Sequence, residues 1–311
     1  MDRLEAMSLV LAVAETGSLA AAARRLSTPV ATASRKISDL EAYLRTKLFE
    51  RSGRKLALTD AGSTYVAAAK RILADVGEAE RAASGEYAAP TGELILTAPI
   101  SLGRLHLLPI IAEFLTAYPN IDIRLVLEDR IVNLPEGHID AALRIGVLPD
   151  SRLIALRLGT IRRVICASPA YLASRGTPRT PTDLIGHDCV TYVGFLAPHN
   201  WTLVQNESDV AIAVRSRLVV SNVEAACVAA RAGIGLTRAF CYHVAASVEA
   251  GTLVTVLDDY QPAALPVSLL YAAGRFLPIK LRAFLDFAAP RLRARIASTA
   301  FHPGGAAHRR N

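Results

Sequence analysis

The chain has 311 residues, of which 52% are hydrophobic, 20% charged and 6% aromatic. At roughly 150 residues per domain this is the length of about two domains, with enough apolar content for a real core, so an intrinsically disordered chain is excluded. The 19 glycines and 16 prolines exclude a collagen-like or low-complexity chain, and the net charge of +7 is unevenly spread. Residues 24–55 hold nine basic and three acidic residues, residues 91–290 hold 17 of each, and five arginines without an acid lie from Arg291 onward. A concentrated basic stretch is the electrostatic footprint of phosphate binding, although a solvated helix face has the same composition. The longest uncharged run, 190–206, contains Pro198, His199, Asn200, Trp201 and Gln205. It falls short of the roughly 20 apolar residues of a membrane span, so no membrane partner is expected. The apolar run 6–14 follows Asp2, Arg3 and Glu5 rather than a basic leader. It reads as a mature helix of a cytoplasmic protein. Cys166, Cys189, Cys227 and Cys241 form no C-x-x-C pair and lie in apolar stretches. They read as buried free thiols, with no metal and no cofactor expected.

Leu4, Met7, Val10, Leu11 and Ala14 mark the apolar face of a first helix that Gly17 stops. Ser18 caps a second helix with Leu19, Ala22, Ala23 and Leu26 inward. Thr28 is placed to cap a third helix with Pro29 at its first position, and Val30, Ala33, Ile37, Leu40 and Leu44 recur at spacings of 3, 4, 3 and 4. Its opposite face carries Ala31, Thr32, Arg35, Ser38 and Asp39, flanked by Ser34 and Lys36. Two short helices, a tight turn and a helix with a small, basic outer face are helix-turn-helix geometry, in which the N-terminal residues of the second motif helix meet base edges. The segments 48–51 and 56–59 read as two short strands around a turn, a wing carrying Arg51, Arg54 and Lys55 to phosphate or minor groove.

Thr59 caps a long helix from Asp60, with Tyr65, Ala68 or Ala69, Ile72, Val76, Ala79 and Ala83 recurring at about 3.5 residues. This is either a coiled-coil seam or a helix packed on its own chain. A hinge over 84–92 follows. Strands are then expected at 93–98, 121–127, 140–145, 163–167, 189–193, near Val210 and Leu218, and at 234–237 and 267–271. Helices are expected at 102–117, 131–138, 223–232, 239–250 and 279–295. This βαβ rhythm implies open α/β sheets with ligands at the carboxyl ends of strands.

The run Val13-Ala14-Glu15-Thr16-Gly17-Ser18-Leu19, with Ala21-Ala22-Ala23-Arg24-Arg25-Leu26, Ser34-Arg35-Lys36-Ile37, Leu40-Glu41, Leu48-Phe49-Glu50-Arg51 and Leu58-Thr59-Asp60-Ala61-Gly62, resembles the LysR-type transcriptional regulators. The resemblance continues to about residue 297. It implies a winged helix-turn-helix DNA-binding domain (all-α plus wing, 1–60), a long linker helix and hinge (61–90), and an α/β effector-binding domain of periplasmic-binding-protein type (91–297). That domain has one subdomain at about 91–160 and 267–297 and another at about 161–266, and 298–311 form a disordered tail. The implied function is sequence-specific DNA binding modulated by a small-molecule effector, an organic anion among the candidates, held between the subdomains. The implied partners are double-stranded operator DNA, RNA polymerase, and a second copy paired through the linker helix, with a homotetramer as the family habit. DNA contacts are expected from Arg24, Pro29, Val30, Ala31, Thr32, Ser34, Arg35, Lys36, Arg51, Arg54 and Lys55. Many family members open the recognition helix with Ser-Gln-Pro or Ser-Pro-Ser, whereas this chain has Pro29-Val30-Ala31. A polar base-reading position is apolar here and offers contact to a thymine methyl instead, so base preference does not carry over in detail.

Cleft residues follow from position. Pro99-Ile100-Ser101 opens a helix whose free N–H groups suit a carboxylate. Ile145-Gly146 and Tyr192-Val193-Gly194 end strands, Ser221-Asn222 opens a helix, and Arg238 ends the strand at 234–237 and can pair with an anion. A solute-binding protein of an uptake system would share this cleft, but the basic N-terminal region argues against it. An α/β enzyme has only the fold in its favour. No P-loop, H-E-x-x-H or G-x-S-x-G is present, and Gly233-Ile234-Gly235 precedes a strand instead of following one, which makes it a weak nucleotide motif. The seven histidines are scattered and read as satisfied core or surface residues.

Overall fold

The computed structural model describes residues 2–52, 55–83, 89–129, 139–147, 153–193, 200–273 and 277–299. Contacts divide the chain into two units, Met1–Ala89 and Pro90–Asn311.

The first unit begins with α1 (Arg3–Thr16), whose start is capped by the Asp2 carboxylate accepting from the Leu4 and Glu5 N–H groups. Gly17, at φ 62°, ends it in the left-handed conformation and returns its N–H to Val13. Ala6, Leu9, Val10 and Val13 are the buried face, and Leu4 is 40% exposed, so the face is rotated from the expected one. The helix is apolar on nearly every side, and its period does not define a single stripe. Nothing stands within 4 Å of a Cβ built on Gly17. Gly17→Ala therefore tests backbone strain alone: we expect a loss of about 1 kcal/mol in thermal unfolding of the first unit.

Ser18 caps α2 (Leu19–Arg25) by accepting from the Ala21 N–H at 3.4 Å, as expected. The turn after it closes through Ser27 at φ 51°, with the Thr28 N–H on Ala23 O and the Ser27 N–H on Arg24 O. This is a Schellman closure without glycine. Thr28 does not cap the third helix: its hydroxyl donates back to Leu26 O at 3.1 Å, and α3 (Val30–Leu44) starts from Pro29 at the N-cap without a side-chain bond. Leu26 and Val30, expected inside, are 38% and 48% exposed, because the turn carries both away from the buried stripe Ala33, Ile37 and Leu40. The wing is an antiparallel pair, β1 (Phe49–Ser52) and β2 (Lys55–Leu58), in register from Phe49↔Leu58 to Ser52↔Lys55. The helix α4 (Asp60–Ala83) follows, with the Thr59 hydroxyl accepting the Gly62 N–H at 2.9 Å. Tyr65 and Val66 of α4 pack on the core of this unit, Ala69 is buried, and Ile72 is 41% exposed. The early part of the expected seam is thus spent on its own chain.

The second unit carries two five-stranded sheets. In chain order come β3 (Gly92–Ala98), α5 (Ile100–Ala117, with a π turn over Gly103–Leu107), β4 (Ile121–Leu127), β5 (Ala141–Ile145) and β6 (Leu153–Ile161). Then come β7 (Arg163–Ala167), α6 (Pro169–Arg175), β8 (Asp188–Tyr192), β9 (Asn200–Gln205), β10 (Ser208–Ala213) and β11 (Arg215–Val220). Last are α7 (Val223–Arg231), β12 (Leu236–Phe240), α8 (Cys241–Glu249), β13 (Val254–Val256), β14 (Leu265–Ala272) and α9 (Ile279–Ser298). The first sheet has order β4-β3-β5-β14-β6 and the second β11-β8-β12-β7-β13; β9 and β10 form a separate hairpin. The expected strand at 234–237 lies further along, at Leu236–Phe240, since Gly233 at φ 83° and Ile234 close the preceding helix onto Ala230 and Ala229. The strands β6, β9 and β13 and the helix α6 were not expected from the sequence. The helix expected at 131–138 and residues 300–311 lie outside the described residues.

The core of this unit is continuous between the sheets, joining Leu94, Leu96, Ile110, Phe114, Leu143 and Phe284 to Val164, Cys166, Ala239 and Val244. Phe114 meets Phe284 edge to face at 5.3 Å. By length and composition α5 is apolar enough to cross a membrane. Here it is a core helix, with Ile110, Ile111 and Phe114 buried in the protein. All four cysteines are buried free thiols, and burial pushes Cys189 up to about 12 and Cys227 to about 11, which leaves them inert as nucleophiles.

Candidate nucleic-acid interface and effector cleft

The surface expected to meet DNA lies on α3. Pro29, Val30, Ala31, Ser34 and Arg35 are exposed along its N-terminal half, and Thr32 is half-buried among them. Small side chains here admit close approach, and Arg35 supplies a long donor fork. Lys36 differs: it is half-buried and its ammonium is paired with the Glu5 carboxylate of α1. Arg24 is exposed in the last turn of α2, next to Arg25, which pairs with Glu15. Arg51 and Lys55 lie on the paired wing strands opposite Leu56 and Ser52. Arg54 lies outside the described residues.

A buried carboxylate that sequence reasoning missed joins α3 to the wing. Glu41, 7% exposed, accepts from Lys47 Nζ at 2.6 Å and from the Leu48 and Phe49 N–H groups at 2.9 and 3.3 Å. Burial alone would raise this carboxyl. The Lys47 bond and the two backbone bonds outweigh it and hold the group below its ordinary value. The signal was an acid at a position in line with the apolar stripe of α3, one residue after Leu40.

In the second unit, β3, β4, β5 and β6 run parallel, as do β11, β8 and β12, with β14 and β7 antiparallel to their neighbours. One residue, Arg162, separates the end of β6 from the start of β7. The carboxyl ends of β3, β4 and β5 therefore share an edge with the crossing, and so do the carboxyl ends of β8 and β12 in the second sheet. Open α/β sheets bind ligands at such an edge.

The residues expected at this edge are there, with different surroundings. Pro99 and Ile100 follow β3, and Ser101 is 6% exposed. The donors that suit a carboxylate already hold the chain's own carboxylates: the Ile100 N–H donates to Asp129 Oδ1 at 3.1 Å, and the Ser101 hydroxyl to Glu224 Oε1 at 2.9 Å. Glu224 opens α7 and also accepts from Arg104 Nη2 at 2.5 Å, so a Ser101–Glu224–Arg104 bridge ties α5 to α7. The Arg104 bond, ahead of the opposing effect of desolvation, holds Glu224 below the usual carboxylate range. Asn222 caps α7, accepting the Ala225 N–H at 2.8 Å, and Ser221 before it is exposed. Ile145 is half-buried at the end of β5, and Gly146, at φ 110°, donates to Pro266 O. Tyr192 ends β8, Val193 is 66% exposed, and Gly194 lies outside the described residues.

Arg238 does not end its strand. It sits in the middle of β12, 8% exposed, opposite Ile165 on β7, and its Nε has no hydrogen-bond partner. The next pair on the same face is Phe240↔Arg163, with the Arg163 guanidinium 5.1 Å from the Phe240 ring centre. Burial, and after it the Arg163 charge, bring Arg238 down to about 10.

The enzymatic signals are structural. In the Gly233-Ile234-Gly235 run, a Cβ on Gly235 would stand 2.2 Å from Asp188 O, so that glycine serves strand approach. His187 bonds the Tyr171 hydroxyl at 3.2 Å. His106 departs from the satisfied reading: its Nδ1 is buried without a hydrogen bond, and its ring meets Tyr242 edge-on at 5.7 Å. Burial lowers its pKa, which keeps the imidazole neutral. Among the described residues, no group of three or more His, Cys, Asp or Glu is placed to hold a metal.

Comparison with known proteins decides between the readings. The family "Bacterial regulatory helix-turn-helix protein, lysR family" matches residues 4–63, and the LysR substrate binding domain matches residues 88–293. The chain belongs to the LysR family of transcriptional regulators. An HTH-type transcriptional repressor of Pseudomonas aeruginosa is 34% identical over 92% of this chain and 91% of its own. The HTH-type transcriptional activator AaeR of Escherichia coli is 31% identical over 92% and 93%. Among solved structures, full-length AphB of Vibrio cholerae, a virulence activator, is 29% identical with a TM-score of 0.59, covering 92% of this chain and 98% of that one. CrgA of Neisseria meningitidis is 29% identical with a TM-score of 0.59, covering 93% and 98%. The regulator thus combines a DNA-binding helix-turn-helix with a two-sheet α/β substrate-binding domain, and its relatives are transcriptional regulators, not enzymes.

Proposed function

We propose that residues 1–60 read an operator, that the helix and hinge over 61–90 pair two subunits, and that 91–297 sense a small organic anion. The sensing half is assigned two subdomains, about 91–160 with 267–297, and about 161–266, closing on the effector between Ser101, Tyr192, Asn222 and Arg238. The regulator acts in the cytoplasm as a homodimer that doubles to a homotetramer, with RNA polymerase as its partner at the promoter. Effector binding favours one angle between subdomains and so one spacing of paired DNA-binding domains, a shift of population between existing states.

The observation that carries the DNA reading is the exposed start of α3: Val30, Ala31, Ser34 and Arg35 stand out from a helix whose other face is core. Arg35 and Ser34 are assigned to base edges, Val30 and Ala31 to a thymine methyl, and Arg24, Arg51, Arg54 and Lys55 to phosphates. Lys36, held by Glu5, is assigned a backbone contact made when that pair opens. The test is binding of full-length protein to its own upstream intergenic DNA against a scrambled duplex across a salt series. Arg35→Ala is expected to reduce discrimination about 10-fold, and Arg24→Ala to weaken both duplexes alike and lower the salt slope by about one. Equal affinity of the wild type for both duplexes at every salt concentration rejects the operator reading for that DNA.

A further inference from the structure

We propose that Arg238 and Arg163 form an anion subsite at the edge of the second sheet that takes a doubly charged head group of the effector, a phosphate or a dicarboxylate. The inference rests on the cleft being the effector site and names the ligand chemistry it selects.

The two guanidiniums occupy diagonal positions on one face of the β7–β12 ladder, opposite Ile165 and Phe240 respectively. Diagonal positions are about 7–8 Å apart, within reach of long side chains and within Coulomb range. Arg238 is buried and its Nε makes no hydrogen bond. Among the described residues, no carboxylate pairs with either arginine. Guanidinium cannot shed its proton at neutral pH, and a buried cation without a partner is strongly unfavourable. Arg163 beside it, half-buried with its guanidinium against the Phe240 ring, adds a second positive charge that lowers Arg238 further.

Arg175, Arg215 and Arg217, all exposed, converge on the single Asp188 carboxylate at 3.9, 3.1 and 3.3 Å. Among the described residues at this edge, Asp129 accepts the Ile100 N–H and Glu224 accepts from Ser101 and Arg104. The helix start at Ile100–Ser101 is thus filled by the chain itself, and the uncompensated positive charge lies on β12, the strand paired with β8, which ends at Tyr192. A ligand carrying two negative charges balances two guanidiniums, and oxyanions match their planar fork. A monocarboxylate leaves one cation unbalanced.

The test uses full-length protein in a zwitterionic buffer at constant ionic strength, with inorganic phosphate, malonate and acetate as probes and thermal unfolding and operator binding as readouts. Phosphate or malonate is expected to raise the unfolding midpoint at concentrations at least tenfold lower than acetate. Arg238→Gln and Arg163→Gln are each expected to shift that response at least tenfold, while Arg175→Gln, in the Asp188 cluster, leaves it unchanged. If Arg238→Gln does not fold, Arg238→Lys keeps the charge without the fork and is expected to weaken the response. Equal response to acetate, absence of response to both dianions, or a wild-type response in Arg163→Gln overturns the subsite. The operator readout separates the two readings. Dianions that stabilise through Arg238 without altering operator binding keep the subsite and remove its role as effector site. Dianions without effect, on a protein that binds its operator, remove the subsite and leave the regulator intact.

Discussion

Gly62→Ala is expected to destabilise the DNA-binding unit by more than about 3 kcal/mol, against the direction of helix propensity. Gly62 lies in the first turns of α4, where alanine should be better than glycine by about 1 kcal/mol. A Cβ at this position, however, stands 2.0 Å from Leu48 O and 3.1 Å from Leu58 Cδ2. The first contact is backbone, which has no rotamer to change. Leu48 O also accepts the Thr59 N–H at 3.1 Å, and Thr59 Oγ1 donates to Lys47 O at 2.7 Å while accepting from Gly62. Moving α4 outward by the necessary ångström breaks this clamp between linker helix and wing. Chemical denaturation followed by circular dichroism, with Ala67→Gly on the exposed side of α4 as the propensity control, decides the matter. A stabilised or unchanged Gly62→Ala shows that the close approach is not there.

The same clamp shows why the first unit was legible in sequence. Gly17, Ser18, Thr59 and Gly62 each carry a local chemical necessity: a left-handed residue, two hydroxyl caps and a close approach. Necessities of that kind recur at fixed spacing. What escaped were the turns closed by residues with no such signature. Ser27 and Arg45 both take positive φ to end α2 and α3, where glycine would have announced the turn. The β9–β10 hairpin turns through Asn206 and Glu207 at φ 52° and 62°, so the usual Asn-Gly signal is missing. The strand β6 runs along a sheet edge with Ile154, Ala155 and Arg157 exposed and Gly159 against Ile296, so neither alternation nor an apolar run marks it.

For the cleft, position along a strand was legible but partnership was not. The carboxyl ends of β3, β5 and β8 lie at the crossing edge because parallel strands put them there. That Asp129 and Glu224 would fill the donors at Ile100 and Ser101 depends on contacts 29 and 123 residues apart, which no local pattern encodes. Arg163, likewise, enters only through its register with Phe240.

Glu41→Ala is expected to cost the same unit about 3 kcal/mol, and Glu41→Gln about 1 kcal/mol. Alanine leaves the Leu48 and Phe49 N–H groups buried without an acceptor, each a penalty of about 1–3 kcal/mol, and frees Lys47 to solvent. Glutamine keeps an acceptor for the backbone and loses only the charge-assisted part. The pH dependence separates the two contributions. The folded-state carboxyl lies below its ordinary value of about 4.3, so its stabilising share is fully present above that pH and is lost as the pH falls through the lower folded value. The gap in unfolding free energy between wild type and Glu41→Gln should therefore be constant from pH 7 to about 5 and narrow below about pH 4. A gap that does not change between pH 7 and 3 means that Glu41 acts by packing and hydrogen-bond geometry alone. Operator binding at pH 7 tests the functional consequence. Glu41 fixes the point where α3 hands the chain to the wing, so Glu41→Ala should weaken DNA binding although the side chain touches no DNA, and Glu41→Gln should restore most of it.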